Sequence, residues 1–297
     1  MVPSDLSTDI SVIIVSYNVR EFTGNCLKSL LQYQSDLSLQ ILVVDNASTD
    51  GSVEYLRAHF PQVTVIANSV NVGFGAANNQ ALRLATGKYL LILNPDTIVH
   101  QGSLQELQKA LCDYPSVGAV GPKLVNQNGE FDKTSKRGLP TPWVAFCRVA
   151  GLSRLFPRNR IFGKYDLLYL DPDQPHEVEV LQGACMMLRR ATYDQVGGFD
   201  EAFFMYGEDI DLSLRILQAG WKIRYHPSAV ITHFRGESAK RPEFDKDKAF
   251  YEAMRIFANK HFTGHYSPLT LELVNIGITI ALFAARVRSL LTTIKHS

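Results

Sequence analysis

The first 125 residues alternate short, continuous apolar runs with helix-patterned stretches. Residues 10–15, 40–44, 63–66, 89–93 and 117–120 read as strands, largely apolar runs of which 89–93 is apolar throughout. Between them, Phe22, Cys26, Leu27, Leu30 and Leu31 recur at helical spacing within 21–33. Helices are also expected from about Asp50 to residue 60, stopped by Pro61, over 76–85, ended by Gly87, and over 103–112. Strands without polar alternation are covered on both faces, so this pattern predicts an α/β fold with a mostly parallel sheet flanked by helices. Right-handed crossovers then bring the strand C-terminal ends to one edge, where open α/β sheets bind their ligands.

That rule selects the residues to weigh. The first strand is followed by Ser16-Tyr17-Asn18, the second by Asp45-Asn46-Ala47-Ser48. The third leads to Asn71-Val72-Gly73-Phe74-Gly75, the fourth to Asn94-Pro95-Asp96. Four such strand ends in succession suggest one shared polar pocket for a nucleotide. Asp45 can accept from a base N–H or a ribose hydroxyl, Tyr17 can pack on a ring, and Asn18, Asn46 and Ser48 offer hydrogen bonds. Residues 46–51 also read as a turn and helix N-cap, which accounts for Thr49 and Asp50 but not for Asp45. The run Gly73-Phe74-Gly75-Ala76-Ala77-Asn78 imitates a dinucleotide fingerprint. It follows the third strand rather than the first, and Asn78 replaces the last small residue, so its glycines are read as close-approach positions. Asp96, stiffened by Pro95 at the end of an apolar strand, is placed to hold a divalent cation together with diphosphate oxygens.

Residues 126–176 are rich in Gly, Pro, Lys and Arg with weak periodicity, and read as a long functional connection. Regular pattern returns from 178 to 232, and a further helix is expected over 244–260. Glu208, Asp209 and Asp211 fall in a first helical turn, where the dipole favours carboxylates. Asp209 is the candidate general base, and His233, after a strand-like run, a candidate neutral metal ligand. The C-terminal stretch 269–291 is apolar but interrupted by Glu272, Asn275, Arg286 and Arg288. It reads as one or two amphipathic helices that either pack on the body or lie on a membrane surface, with Arg286, Arg288 and Lys295 toward anionic headgroups. A net charge of +1 gives no reason to expect a nucleic-acid partner. Cys26, Cys112, Cys147 and Cys185 lack metal or redox spacing and are expected to be small buried hydrophobes. With no signal-peptide pattern, a cytoplasmic location follows. The remaining histidines, His261 among them, are expected to be surface or packing residues.

Together these segments, with Gln182-Gly183-Ala184, Gly207-Glu208-Asp209 and His233, resemble the family 2 inverting glycosyltransferases over residues 10 to about 238. The resemblance implies a GT-A fold: a mostly parallel Rossmann-like sheet flanked by helices, an acceptor-side α+β half and C-terminal helices. It divides the chain into a nucleotide-sugar half (1–125), a connection and acceptor half (126–240) and a helical segment (241–297). It implies nucleotide-binding roles for Ser16, Tyr17, Asn18, Asp45, Asn46, Ser48, Asn71, Gly73, Phe74, Asn78, Asn94 and Pro95. Asp96 matches the last acid of the Asp-x-Asp metal motif, with Asn94 where many members carry Asp, and His233 joins that Mg or Mn site. Asp209, with Glu208, matches the catalytic Glu-Asp pair, and Gln182, Gly183 and Ala184 line the sugar and acceptor pocket. Lys136, Arg137 and Arg235 are candidates for neutralising the departing diphosphate. The Asn94-Pro95-Asp96 turn together with residues 233–238 is most similar to bacterial rhamnosyltransferases of cell-surface polysaccharide assembly. These would use dTDP-L-rhamnose and a glycan or lipid-linked glycan acceptor. A UDP-hexose or UDP-galactofuranose donor, a non-catalytic nucleotide-sugar-binding module and a nicotinamide-dependent oxidoreductase stand as alternatives.

Overall fold

The computed structural model describes residues 8–34, 36–235 and 245–294, with 288–294 described by their backbone alone. The strands are β1 (Ile10–Ser16), β2 (Leu39–Asp45), β3 (Thr64–Ala67), β4 (Tyr89–Leu93), β5 (Thr97–Val99), β6 (Val117–Val125), β7 (Lys136–Arg137), β8 (His176–Glu177), β9 (Val180–Leu181), β10 (Cys185–Arg189) and β11 (Lys222–His233). The helices are α1 (Arg20–Gln32), α2 (Ser52–His59), α3 (Phe74–Leu82), α4 (Ser103–Asp113), α5 (Pro142–Val149), α6 (Leu152–Leu155), α7 (Arg190–Val196), α8 (Glu208–Gln218), α9 (Lys246–Phe262) and α10 (Pro268–Ile294). The main sheet has the order β3-β2-β1-β4-β10-β6-β11-β5, with β8 on β11, and β7 pairs with β9 in a small second sheet.

Every residue of β1 is buried, as its unbroken apolar run requires. Alternation sends Ile10, Val12 and Ile14 to the face covered by Leu27 and Leu30 of α1 and Leu104 and Leu107 of α4. Ile13 and Val15 point the other way, onto Ala77 and Ala81 of α3, in a cluster that includes Leu212 and Ile216 of α8. Each such aliphatic side chain contributes about 2 kcal/mol by leaving water.

The first four strands are mutually parallel. The sheet then departs from the simple expectation. β10 enters antiparallel between β4 and β6, so the fifth predicted strand is not the neighbour of the fourth. Because β10 runs backwards, its N-terminal end, preceded by Gln182-Gly183-Ala184, lies at the edge where β1, β2 and β4 end. The short strand β5, not foreseen, runs antiparallel on β11 and brings His233 opposite Thr97.

Two further corrections concern punctuation. The helix expected over 76–85 begins at Phe74 and ends at Leu82, so Gly87 is no helix stop. A side chain on Gly87 would lie 2.5 Å from the Ser11 nitrogen and 2.8 Å from the Ile10 carbonyl carbon, so the residue is glycine because two backbones meet there. Among the cysteines Cys26, Cys147 and Cys185 are buried, but Cys112 is exposed, with its thiol beside the Tyr89 hydroxyl.

The C-terminal helices are fastened through α8. Asp211 is fully buried and receives His261 and Lys260 of α9, each at 2.7 Å, and Arg215 of its own helix at 2.8 Å. Burial alone would raise the Asp211 carboxyl, but these bonds hold it well below the ordinary carboxylate range. His261 is therefore a packing residue, one of the two readings expected of it, and it fastens α9 to α8. Phe203, Phe257 and Phe262 form a third core against which Leu271 and Val274 of α10 pack. The C-terminal stretch is a single helix rather than two, and its 268–287 window has mean hydropathy 1.7, long and apolar enough by length and composition to cross a membrane. One face lies on α9, where Arg255 and Asn259 bond Thr279 and Asn275. The other exposes Leu269, Leu273, Ile276, Ile280, Phe283 and Val287. Arg286 pairs with Asp245 at 3.8 Å. The Arg288 side chain and Lys295 lie outside the described residues.

Gly87→Ala should separate β1 from the β4 entry and cost about 1–3 kcal/mol by urea unfolding. A variant as stable as the parent would show that the two backbones can part freely.

Candidate active site

The site is built where seven elements end, and the turn before β10 ties them together. Ala184 O accepts the Asn94 amide at 2.8 Å, which fixes the turn after β4. One residue earlier, Gly183 N donates to Asp209 Oδ2 at 3.2 Å, which fixes the start of α8. Neighbouring peptide groups thus connect the Asn94-Pro95-Asp96 turn to the Glu208-Asp209 pair.

The α8 entry is conformationally demanding. Tyr206 and Gly207 both have positive φ, 71° and 80°, and they turn the chain so that Glu208 and Asp209 open the helix. Arg137 Nη2 lies 2.5 Å from Asp209 Oδ2. Oδ2 is therefore doubly held, while Oδ1 has no partner among the described residues. Glu208 is buried; desolvation, with the Asp209 charge beside it, pushes its carboxyl up to about 8.

Across the site, Asp96 Oδ1 and His233 Nε2 lie 3.4 Å apart, and Asn94 Nδ2 is 3.5 Å from the same ring nitrogen. Asp96 and His233 are both buried, and Asp96 O accepts from Phe234 N, which locks β11 to the turn. Asn94 Oδ1 is buried with no hydrogen-bond partner among the described residues. A carboxylate, an imidazole and an amide oxygen form a donor set that suits Mg or Mn. Among the described residues no three His, Cys, Asp or Glu side chains gather for a cation. Protein ligands alone would therefore be few, and diphosphate oxygens would complete the shell. Within these limits the residues fit the expected metal.

Polar residues at the other strand ends divide into two kinds. Asp45 is buried; its Oδ1 accepts from Ser48 N at 2.9 Å and its Oδ2 is bare. Asn78 bonds Phe74 O but leaves its buried Oδ1 bare. These buried atoms lack a hydrogen-bond partner among the described residues. Other predicted nucleotide contacts serve as fasteners. The Ser16 hydroxyl is buried against Thr23 Oγ1 at 2.8 Å. Asn18, at φ 53°, receives Thr49 N through Oδ1 and donates its own N–H to the Ser48 hydroxyl. Asn46 uses both ends of its amide on Asn71, Gly73, Asn68 and Val72. Tyr17 is half-buried beside Asn18, and Pro95 is buried in the β4 turn. Gly73 (φ 88°) meets the Phe204 backbone, and Phe74 N bonds Phe204 O at 2.8 Å, so these residues approach the protein's own 199–204 loop.

The predicted cations also separate. Lys136 is a correction: its side chain is 1% exposed and its ammonium is capped by Leu167 O and Leu170 O, so it faces the core and not the site. Burial pushes it down to about 8. Arg137 lies on Asp209 rather than among Asn94, Asp96 and His233. Arg235, exposed and at φ 54°, stands 3.4 Å from Asp132 Oδ2. Residues 236–238 of the motif lie outside the described residues.

Asp132 was missed from the sequence. It is buried, its Oδ1 takes Thr134 N and Oγ1, and its Oδ2 has only Arg235 nearby. Thr134 in turn donates to Gln182 Oε1 at 2.6 Å, so Asp132 lies on the Gln182 side of the site. Its signal was the Asp-x-Thr turn, in a stretch whose weak periodicity concealed it.

The sheet flanked by helices, with acidic residues at the ends of β2 and β4 and at the start of α8, has GT-A glycosyltransferases as its structural neighbours. Residues 11–197 match the model of glycosyl transferase family 2, and the chain belongs to that family. Residues 170–237 match a second model, an N-terminal domain of galactosyltransferase. An N-acetylglucosaminyl-diphospho-decaprenol L-rhamnosyltransferase of Mycobacterium tuberculosis is 30% identical over 275 residues, 88% of each chain. Rhamnosyltransferase WbbL of Escherichia coli is 26% identical over 234 residues, 76% of this chain and 83% of that protein. Among solved structures, the Pyrobaculum calidifontis mannosyltransferase PcManGT, in complex with GDP-Man and Mn2+, is similar at TM-score 0.59 and 20% identity, over 97% of this chain and 80% of that one.

A carboxyl whose folded value exceeds its unfolded one binds more protons in the native state. Stability is then fully present below about 4.5 and falls as pH rises toward about 8. Glu208→Gln should remove that decline in urea titrations at pH 5 and 8.5. An unchanged slope in the variant would show that Glu208 ionises freely in the folded protein.

Proposed function

We propose that this glycosyltransferase moves L-rhamnose from dTDP-L-rhamnose to a hydroxyl of a glycan or lipid-linked glycan, with inversion at the anomeric carbon. The observation that carries the reading is the placement of Asp209. It opens a helix, two donors hold its Oδ2, Oδ1 is left bare, and a one-residue turn links it to the Asn94–Asp96 loop. The rhamnosyl donor rests on the two relatives named for that activity, one of them acting on a decaprenol-linked sugar. In this reading residues 1–125 hold the donor nucleotide and 126–240 the acceptor.

Asp45 Oδ2 and Asn78 Oδ1 receive donor N–H or O–H groups, within a frame fastened by Asn46 and Asn18. The acceptor hydroxyl attacks the anomeric carbon from the face opposite the diphosphate. Its proton passes to Asp209 Oδ1 as the new C–O bond forms and the bond to the diphosphate breaks. Arg137 orients the carboxylate; Arg235 faces the leaving group. Gln182 and Asp132 bind the sugar or acceptor hydroxyls. A bound Mg or Mn, held by Asp96 and His233 with Asn94, would neutralise charge on the departing diphosphate. The exposed apolar stripe of α10 supports peripheral contact with the inner face of the cell membrane, where a lipid-linked acceptor would lie.

A UDP-hexose or UDP-galactofuranose donor would use the same residues, and a solved neighbour, TarS of S. aureus with UDP-GlcNAc, keeps it in the test. In a thermal-shift panel, dTDP-rhamnose at about 100 times its Kd should stabilise by about 2.7 kcal/mol, only with Mg or Mn. A larger shift with UDP donors would reassign the sugar; no shift with any donor would remove the site assignment. Asp209→Asn should lower kcat by roughly 10²–10⁴ while keeping the dTDP shift. Transfer at the parent rate would exclude Asp209 as base.

A further inference from the structure

Between Asp132 and Asp166 the chain carries eight Lys and Arg residues and no acid. Most of these cations are engaged. Lys136 and Arg137 are buried, Lys133 and Arg148 pair with Asp166, and Lys164 pairs with Glu179. Arg154, Arg158 and Arg160 are exposed and have no acidic partner among the described residues. They border large apolar side chains that a folded protein ordinarily covers: Trp143 (50% exposed), Phe146 (55%), Val149 (75%), Leu155 (72%), Phe156 (51%) and Ile161 (59%). The rings form one group, with Trp143 5.7 Å from Phe146 and 6.5 Å from Phe162, and Phe162 5.7 Å from Phe156.

We infer that α5, α6 and the following loop to Phe162 form a docking surface for an anionic lipid bilayer. The chemistry selects this partner. An aromatic and aliphatic group that includes a tryptophan, edged by unpaired arginines, matches the boundary between acyl chains and negative headgroups. A protein partner would have to supply acids to three arginines and an apolar hollow together, and a second copy of this segment would bring like charges face to face. The surface also has a neighbour of the same character. Leu139, just before α5, packs in the core that holds Leu271 and Val274 of α10. It adjoins the active site as well, because Arg137, which grips Asp209, precedes α5 by a few residues. This docking needs no donor or acceptor sugar, so it stands or falls apart from the proposed reaction.

The local reporter is Trp143, since the chain has only one other tryptophan, Trp221. In full-length Trp221→Phe protein, vesicles of phosphatidylcholine with phosphatidylglycerol should shift Trp143 emission to the blue. Bromine on the acyl chains should quench it, and phosphatidylcholine alone should do neither. Arg154→Gln/Arg158→Gln/Arg160→Gln, with parent far-UV dichroism, should weaken that response by roughly 100-fold. A protein that floats with vesicles while Trp143 stays unchanged is held by α10 alone, and the inference fails. Equal responses to neutral and anionic vesicles, or to parent and triple variant, also overturn it. So does burial of Trp143 in a lipid-free dimer seen by sedimentation.

Discussion

The backward insertion of β10 between β4 and β6 is the constraint on which the rest of the site depends. A parallel strand there would send its N-terminal turn to the opposite edge, away from β1, β2 and β4. Running antiparallel, it delivers Gly183 and Ala184 to the binding edge with backbone groups still free to bond. Ala184 O takes the Asn94 amide and Gly183 N takes the Asp209 carboxylate. The two acidic centres are held apart by peptide groups within one turn, not by flexible side chains. Such a spacer fixes Asp209 relative to the Asn94–Asp96 turn.

Gathering carboxylates at that edge carries an electrostatic cost, which neighbouring groups reduce. Asp45, Asp96, Asp132, Glu208 and Asp209 are all buried. Asp209 has Arg137 and the positive end of α8; Asp132 has Arg235; Asp96 has His233. Glu208 has no cation at bonding distance, and burial beside Asp209 raises its carboxyl instead. Environment therefore separates two adjacent acids into one held by an arginine and one favoured in its neutral form.

Much of this arrangement was legible in the sequence because it is local. Continuous apolar runs specify buried strands, and a carboxylate after such a run must lie at the sheet edge, which is how Asp45 and Asp96 stood out. The Glu208-Asp209 pair stood out as acids in a first helical turn. Long-range geometry was not legible. Nothing in residues 185–189 states that they enter beside β4, almost a hundred residues away in the chain, and the role of the preceding turn follows from that entry. Lys136 misled because a lysine in a basic stretch suggests an exposed cation; only the carbonyls of Leu167 and Leu170, brought over it by the fold, show it as a core residue. Asp132 lay in a segment that periodicity could not interpret. The C-terminal stretch was legible as one or two amphipathic helices, and the fold makes it one, Pro268–Ile294.

The strand ends also separate residues that resemble one another in sequence. Asn46 and Asp45 are adjacent, both buried and both polar, yet Asn46 has its amide engaged within the protein while Asp45 leaves one oxygen bare. Ser16 and Asn18 behave like Asn46; Asn78 and Asn94 behave like Asp45. A buried polar atom without a protein partner costs about 1–3 kcal/mol, a cost that water or a bound ligand relieves. The engaged residues supply the rigidity that keeps those atoms aimed. In the proposed reading, a donor nucleotide meets a short set of unpaired atoms supported by a larger set of paired ones. Asp45 belongs to both sets, because its Oδ1 fastens the Ser48 amide while its Oδ2 has no partner among the described residues.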